Sequence, residues 1–219
     1  MNHTFLNLNH EKQQRIINAA LDEFAQNGFE KASTNQIVKN ARIGKGMLFY
    51  YFQNKEELFN YLINYSFDLA NTKLIEQVDR KESDFIERLK QIAHAKTEFH
   101  LTHPNVLIFL GNLFLNDNTG ISDSFKNRYE QMMNSRISLL YDGIDKTLFR
   151  KDIDTEKAFK LIQWSIDGYQ NELIAKLKNH NLTTINFDTY WEEFYELLDI
   201  LKMLYYQNKE GQNERSANQ

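Results

Sequence analysis

The chain has 219 residues, 42% apolar and 13% aromatic, with no cysteine and one proline, Pro104. It is long enough to bury a substantial core and admits long helices almost throughout, and it excludes disulfide frameworks, thiolate metal sites and cysteine nucleophiles. The net charge of −4 hides an asymmetry: residues 1–56 carry 7 Lys and Arg against 5 Asp and Glu, whereas residues 57–219 carry 19 against 25, and a mildly basic head on an acidic body suits a local nucleic-acid contact.

The first helix is predicted from His10 to about Asn27, because Ile16, Ile17, Ala20, Leu21, Phe24 and Ala25 recur at helical spacing before Gly28. Ser33 or Thr34 caps a short helix, Asn35–Asn40, which turns through Ala41, Arg42 and Ile43. Gly44 opens a second short helix, Lys45–Tyr51, with Leu48 and Phe52 on its inner side. Asn54 and Glu57 form a capping box for a long helix to about Val78. Further helices are expected at Ser83–Thr102, Asn105–Asn116, Ser122–Phe149, Thr155–Asn179 and Phe187–Asn208. The fold class is therefore all-α, with about nine helices. It divides into a candidate helix-turn-helix over 1–56, a helical body over 57–210, and a polar tail over 211–219.

Two short helices joined by a tight turn have the geometry that lets the second enter a major groove ~12 Å wide. With Leu48 and Phe52 inside, Lys45, Gly46, Met47, Tyr50 and Tyr51 are left facing outward. Tyrosine offers a hydroxyl to phosphate and a ring to sugar or thymine methyl. Lys55 opens the next helix against the helix dipole, and a bound phosphate would justify it. The bland alternatives are that Tyr50, Tyr51 and Met47 pack against the next domain, that Lys45 and Lys55 are ordinary solvated lysines, and that Thr34 is a helix cap.

The run Ile17-x-Ala19-Ala20, Phe24, Gly28-Phe29, Thr34-x-x-Ile37, Ala41-x-Ile43-Gly44-Lys45-Gly46-Met47-Leu48-Phe49-Tyr50-Tyr51-Phe52 and Asn54-Lys55-Glu56-Glu57-Leu58 resembles the N-terminal domain of TetR-family transcriptional regulators. The resemblance implies operator-backbone contacts by Thr34, Lys45, Tyr50, Tyr51 and Lys55. Ser33, Arg42, Gly46 and Met47 complete the expected DNA-binding set. Three positions depart from the family pattern. Arg42 stands where glycine is usual in the turn, so either the turn is adjusted or Arg42 reaches phosphate. Gly44 replaces a Ser or Thr cap, and Phe49 replaces a tyrosine, which removes a hydroxyl contact and leaves that position to the core.

Thr155–Asn179 and Phe187–Asn208 each carry two apolar stripes, where a helix facing only its own core needs one. The expected homodimer interface is Phe159, Ile162, Ile166, Tyr169 and Leu173 with Tyr190, Phe194, Leu197, Leu201 and Leu204, paired as an intermolecular four-helix bundle about a twofold axis. Such a dimer would bind a near-palindromic operator with half-sites ~34–36 Å apart or more. Aromatic and methionine positions at helical spacing are more often core than pocket, but the resemblance implies a pocket for an apolar or amphipathic effector, expected at Phe99, His103, Leu107, Leu110, Phe114, Tyr129 and Met133 and closed by Trp164 and Asp167. Effector binding would swing the heads apart and release DNA.

His94 and Glu98 lie on one side of their helix and His100 and His103 on the other, so no metal site is expected. No phosphate loop, nucleophile elbow or dinucleotide fingerprint is present, so neither an enzyme nor a cofactor is expected. No apolar run approaches the ~20 residues of a membrane span and Met1–His10 lacks the order of a secretory signal, so the expected location is the cytoplasm, without membrane partners. The reading that results is a ligand-responsive DNA-binding regulator, a repressor in the usual case; the alternative is a helical protein-binding adaptor.

Overall fold

The computed structural model describes residues 3–115, 125–127, 129–130, 140–178 and 180–207. Among these residues the chain is helical and has no strand; one isolated bridge pairs Phe149 with Tyr206. The helices are α1 (His3–Leu6), α2 (His10–Lys31), α3 (Thr34–Asn40), α4 (Lys45–Tyr51), α5 (Lys55–Glu76), α6 (Phe85–Thr102), α7 (Pro104–Leu115), α8 (Thr155–Leu177) and α9 (Asp188–Tyr205), with 3₁₀ turns at Lys146–Leu148 and Leu182–Thr184.

Local chemistry accounts for most boundaries. Asn9 caps α2 through its side-chain oxygen, which accepts from the Lys12 amide at 2.9 Å. Gly28 breaks its regular helix with φ 67°, a conformation that costs glycine nothing sterically. Asn54 accepts from the Glu57 amide at 2.7 Å, and the Glu57 carboxylate reaches back to the Gln53 amide at 2.7 Å, so the expected capping box is closed one residue upstream.

The helix expected over Ser122–Phe149 is too long. Residues 125–127, 129–130 and 140–141 are helical, but Gly143 has φ 73° and the chain then re-enters a 3₁₀ turn. Asp145 drives that change, because its carboxylate accepts from both the amide (2.9 Å) and the hydroxyl (2.6 Å) of Thr147 in competition with helix bonding. The sequence reading also overlooked α1 and the second 3₁₀ turn, which Asn181 caps in the same way.

The chain forms two compact units. One comprises Met1–Glu76, Glu98–Tyr129 and Leu177–Ile185; the other comprises Gln77–Thr97, Glu130–Lys176 and Asn186–Gln219. The first is larger than the expected 1–56 head, because α5 and α7 pack with α2. Phe24, Phe59 and Phe109 supply that contact, with ring centroids 5.0 and 5.4 Å apart around Phe59.

The core of the second unit gathers Phe85, Ile86, Phe149, Phe159, Ile162, Ile166, Leu198 and Leu201. Tyr169 lies against Phe194 (5.5 Å) while Phe149 touches both Phe159 and Tyr206, so α8 and α9 run antiparallel. Arg88 is fully buried there. Its guanidinium donates to the carbonyls of Asp142 (2.7 Å) and Glu82, tying the approach to α6 to the helix end at residues 140–141.

Asp84 anchors the end of α9 to the start of α6. It accepts from the Tyr206 hydroxyl at 2.8 Å and pairs with the Lys202 ammonium at 2.8 Å, which also meets Glu87 at 2.6 Å. Burial works to raise the Asp84 pKa, but the hydrogen bonds from Lys202, the Glu87 amide and Tyr206 outweigh it and hold the carboxyl below its ordinary value. Burial first, and then the carboxylate of Asp84, push the Tyr206 hydroxyl up, so it remains a donor.

The unfolded chain binds the Asp84 proton more readily, so this anchor stabilises the fold above the ordinary carboxyl value of 3.8 and is lost as pH falls through the lower folded value. Asp84→Asn is expected to melt at a lower temperature than the parent at pH 7. The gap should narrow below pH 3.8 as the parent loses the same charge, which melting curves recorded across the acid range would check.

Candidate nucleic-acid interface

The helix-turn-helix is built on α2, α3 and α4. The buried carboxylate of Glu23 accepts from the Ser33 amide at 2.8 Å and fixes the entry to α3, while Ser33 caps that helix by accepting from the Gln36 amide at 3.3 Å. Ser33 is therefore the cap, and Thr34, half-buried, is the first residue of the helix.

Between α3 and α4 the chain reverses through Ala41 and Arg42. Ala41 donates to the Ile37 carbonyl at 2.8 Å and Ile43 to that of Val38 at 3.0 Å, while Arg15 Nε holds the Ala41 carbonyl from α2 at 3.1 Å. Arg42 has φ 53°, so it does occupy the left-handed position where glycine is usual, and its side chain is exposed on the turn. That conformation costs a non-glycine residue roughly 1–2 kcal/mol. Gly44 opens α4 without a side-chain cap.

In α4, Leu48 and Tyr51 are buried, with Phe52 just beyond, whereas Lys45, Gly46, Met47, Phe49 and Tyr50 are exposed. Two expectations change. Tyr51 does not stand on the outer face: its ring lies 5.7 Å from that of Phe5, which also touches Phe52 (4.8 Å) and Tyr61 (5.3 Å). Phe49, the residue most easily assigned to the core, lies outside.

The cause is α1, which brings the fully buried Phe5 under the end of α4. Gln13 holds it there, with Nε2 2.9 Å from the Phe5 carbonyl and 2.8 Å from that of Leu6. A lone phenylalanine ahead of the first periodic helix carries no signal in sequence.

Lys55 is the second reassignment. Its ammonium donates to the carbonyls of Phe29 (2.7 Å), Glu30 (3.1 Å) and Ala32 (3.3 Å) and sits 4.7 Å from the Phe29 ring. The lysine that works against the dipole of its own helix thus caps the carboxyl end of another, where a cation is favoured. The phosphate invoked for it in sequence is not needed.

The expected dimer residues are largely core. Phe159, Ile162, Ile166 and Leu201 are buried in the second unit; Tyr169, Leu173, Tyr190, Phe194 and Leu197 are half-buried, and Leu204 alone of that set is exposed. Tyr169 donates to the Tyr190 carbonyl at 2.7 Å, and burial with the Glu193 carboxylate pushes its hydroxyl up to about 12. The outer stripe of α8 is Leu161, Trp164, Gly168 and Ala175, and that of α9 is Ile200, Met203 and Leu204. On α8 the stripe expected to meet a partner is the one that faces the unit's own core, and on α9 the exposed Ile200 and Met203 lie outside the expected interface set.

Of the expected pocket residues, Phe99 and Leu110 are buried, Leu107 and Tyr129 half-buried, and the His103 ring stacks on Phe99 at 4.9 Å. Burial, with the Lys73 ammonium nearby, holds His103 below the ordinary histidine value. The Phe114 side chain and Met133 lie outside the described residues. Trp164 is 65% exposed and closes nothing within its unit, and Asp167 accepts from Gln163 at 2.8 Å. An open groove of about 700 Å³ does run along α5, lined by Tyr61, Tyr65, Leu69, Glu57 and Asp68, but it includes none of the residues of the expected pocket. Among the described residues no three metal-ligating side chains converge, and no helix is long and apolar enough to cross a membrane.

The arrangement on α2 to α4 is a helix-turn-helix with a solvated recognition helix. Residues 16–62 match the profile of the bacterial regulatory proteins of the tetR family, about a fifth of the chain. It is 34% identical over 82 residues to an uncharacterised HTH-type transcriptional regulator of Bacillus subtilis (strain 168), covering 37% of this chain and 28% of that protein. It is 25% identical over 185 residues to the fatty acid metabolism regulator protein of the same organism, covering 80% of this chain and 90% of that one. Among solved structures, a TetR family transcriptional regulator from Chloroflexus aurantiacus J-10-fl superposes with TM-score 0.60 at 21% identity, covering 94% of this chain and 99% of the other, and shares the fold.

Lys55→Met is expected to lower stability by about 1–2 kcal/mol, because three carbonyls lose their donor, and to leave the salt dependence of DNA affinity unchanged. Arg42→Gly should raise stability by about 1 kcal/mol and, if the guanidinium meets phosphate, flatten the salt slope by about one unit. Chemical denaturation and salt titrations of affinity read the two effects separately.

Proposed function

We propose that the protein is a homodimeric, ligand-responsive transcriptional repressor that binds a near-palindromic operator. The observation that carries the DNA-binding reading is the outer face of α4, the second helix of the helix-turn-helix, where Lys45, Gly46, Met47, Phe49 and Tyr50 stand in solvent. The match of residues 16–62 to the tetR regulator profile supports the same reading over that of a protein-binding adaptor.

The dimer follows from the outer stripes of α8 and α9. Trp164 is 65% and Met203 75% exposed, and with Leu161, Ile200 and Leu204 they leave a row of large apolar side chains in water. A patch of that kind marks an interaction surface, and a second copy is the occupant that places two heads on two half-sites. An apolar or amphipathic effector is supported by the fatty acid metabolism regulator that aligns over most of its length. By linkage, an effector that releases DNA must bind the DNA-bound protein more weakly.

Duplex from the region flanking the protein's own gene tests the DNA-binding reading: nanomolar binding that weakens steeply with salt is expected, and equal weak binding to every duplex would overturn it. For the dimer, Trp164→Glu and Met203→Glu should shift sedimentation from dimer to monomer with α-helical content retained. The same changes should weaken operator binding by about 100-fold or more, since one head alone binds little better than non-specifically. A double variant that remains dimeric would refute this interface.

A further inference from the structure

The side chains on the outer face of α4 define what kind of base pair it reads. At ~100° per residue the exposed positions form one arc. Gly46 is at its middle, with Lys45 and Phe49 on one flank and Tyr50 and Met47 on the other, while Leu48, Tyr51 and Phe52 fill the opposite arc. Met47 is 39%, Phe49 37% and Tyr50 56% exposed.

Major-groove discrimination uses a short list of groups: Arg or Lys for guanine, Asn or Gln for adenine, Asp or Glu for cytosine, and apolar contact for the thymine methyl. The segment Lys45–Tyr51 contains no Arg, Asn, Gln, Asp or Glu. Its exposed positions carry one ammonium, a thioether and two aromatic rings. The polar side chains Asn35, Gln36 and Asn40 belong to α3, the helix that crosses the backbone in this motif, and Gln36 is already bonded to Asn40 at 2.9 Å.

Gly46 supplies an independent observation. A Cβ there would meet no atom of the chain within 4 Å and its backbone φ is not left-handed, so neither packing nor conformation within the protein requires glycine. At the middle of the exposed arc, the missing side chain lets the helix axis come close to base edges, and it brings the flanking apolar groups to methyl distance.

Resting on the DNA-binding reading above, we infer that α4 reads a half-site of A·T pairs by apolar contact with thymine methyl groups, through Met47, Phe49 and Tyr50, with Lys45 supplying the single hydrogen-bonding contact. Thymine and uracil differ only in that methyl, so substituting deoxyuridine isolates it.

The test selects binding sites for the full-length protein from a randomised duplex pool, then replaces each thymine of a selected half-site singly with deoxyuridine. Enrichment of A·T pairs is expected, with about a fourfold loss of affinity for each contacted methyl and no loss at thymines outside the half-site. In Met47→Ala and Phe49→Ala the loss should disappear at the thymine each residue contacts, a coupling that a merely structural role would not give.

Gly46→Ala should melt at or above the parent temperature and bind the selected site about tenfold more weakly, as overpacking at a close contact would. Selection of G·C-rich half-sites, deoxyuridine without effect, or Gly46→Ala binding as well as the parent each overturns the methyl readout while DNA binding itself stands. Failure to enrich any sequence would instead overturn the DNA-binding reading.

Discussion

Phe5, Tyr51, Phe52 and Tyr61 meet in one aromatic cluster, and the direction in which α4 presents its free face follows from that contact. Each ring pair adds roughly 0.5–1.5 kcal/mol to the area it buries. Seven residues make only two turns of helix, too few for a recognition helix to hold its own rotation. Once Tyr51 is drawn inward beside Leu48 and Phe52, the remaining arc is fixed, and it is the one centred on Gly46. Arg15 on the turn, Glu23 on the start of α3 and Lys55 on the end of α2 hold the rest of the head to that frame with charged groups bonded to backbone.

The second unit solves a related problem with different means. Its α8 and α9 are apolar on two sides, and the core chooses one of them: Phe159, Ile162, Ile166, Leu198 and Leu201 close inward with Phe85 and Phe149. The Asp84, Lys202, Glu87 and Tyr206 cluster pins the end of α9 to the start of α6. What is left outside is Leu161, Trp164, Ile200, Met203 and Leu204. The burial of the first stripe is therefore what creates the second as a surface. The proposed self-association rests on the apolar area of that stripe.

Much of this was legible in the chain. Gly28, the Asn54 and Glu57 box, Gly44 and the apolar period of α2, α8 and α9 are local signals, acting within four residues of themselves, and each placed an element where it is found. For Arg42 the family pattern left the turn conformation open, and the structure places the residue in the left-handed region itself.

What the amino-acid sequence determined alone is thus helices α2 to α9, the helix-turn-helix and the existence of doubly apolar helices, all of them consequences of period, capping and turn chemistry over short range. Which tyrosine of the pair faces outward, where the Lys55 ammonium goes and which stripe of α8 and α9 is core were decided only in the tertiary structure. Each depends on a partner far along the chain: Phe5 for Tyr51, the Phe29 to Ala32 carbonyls for Lys55, and Phe85 and Phe149 for the buried stripe. A helical period says that a face is apolar; only what arrives to cover it says whether that face is interior or surface.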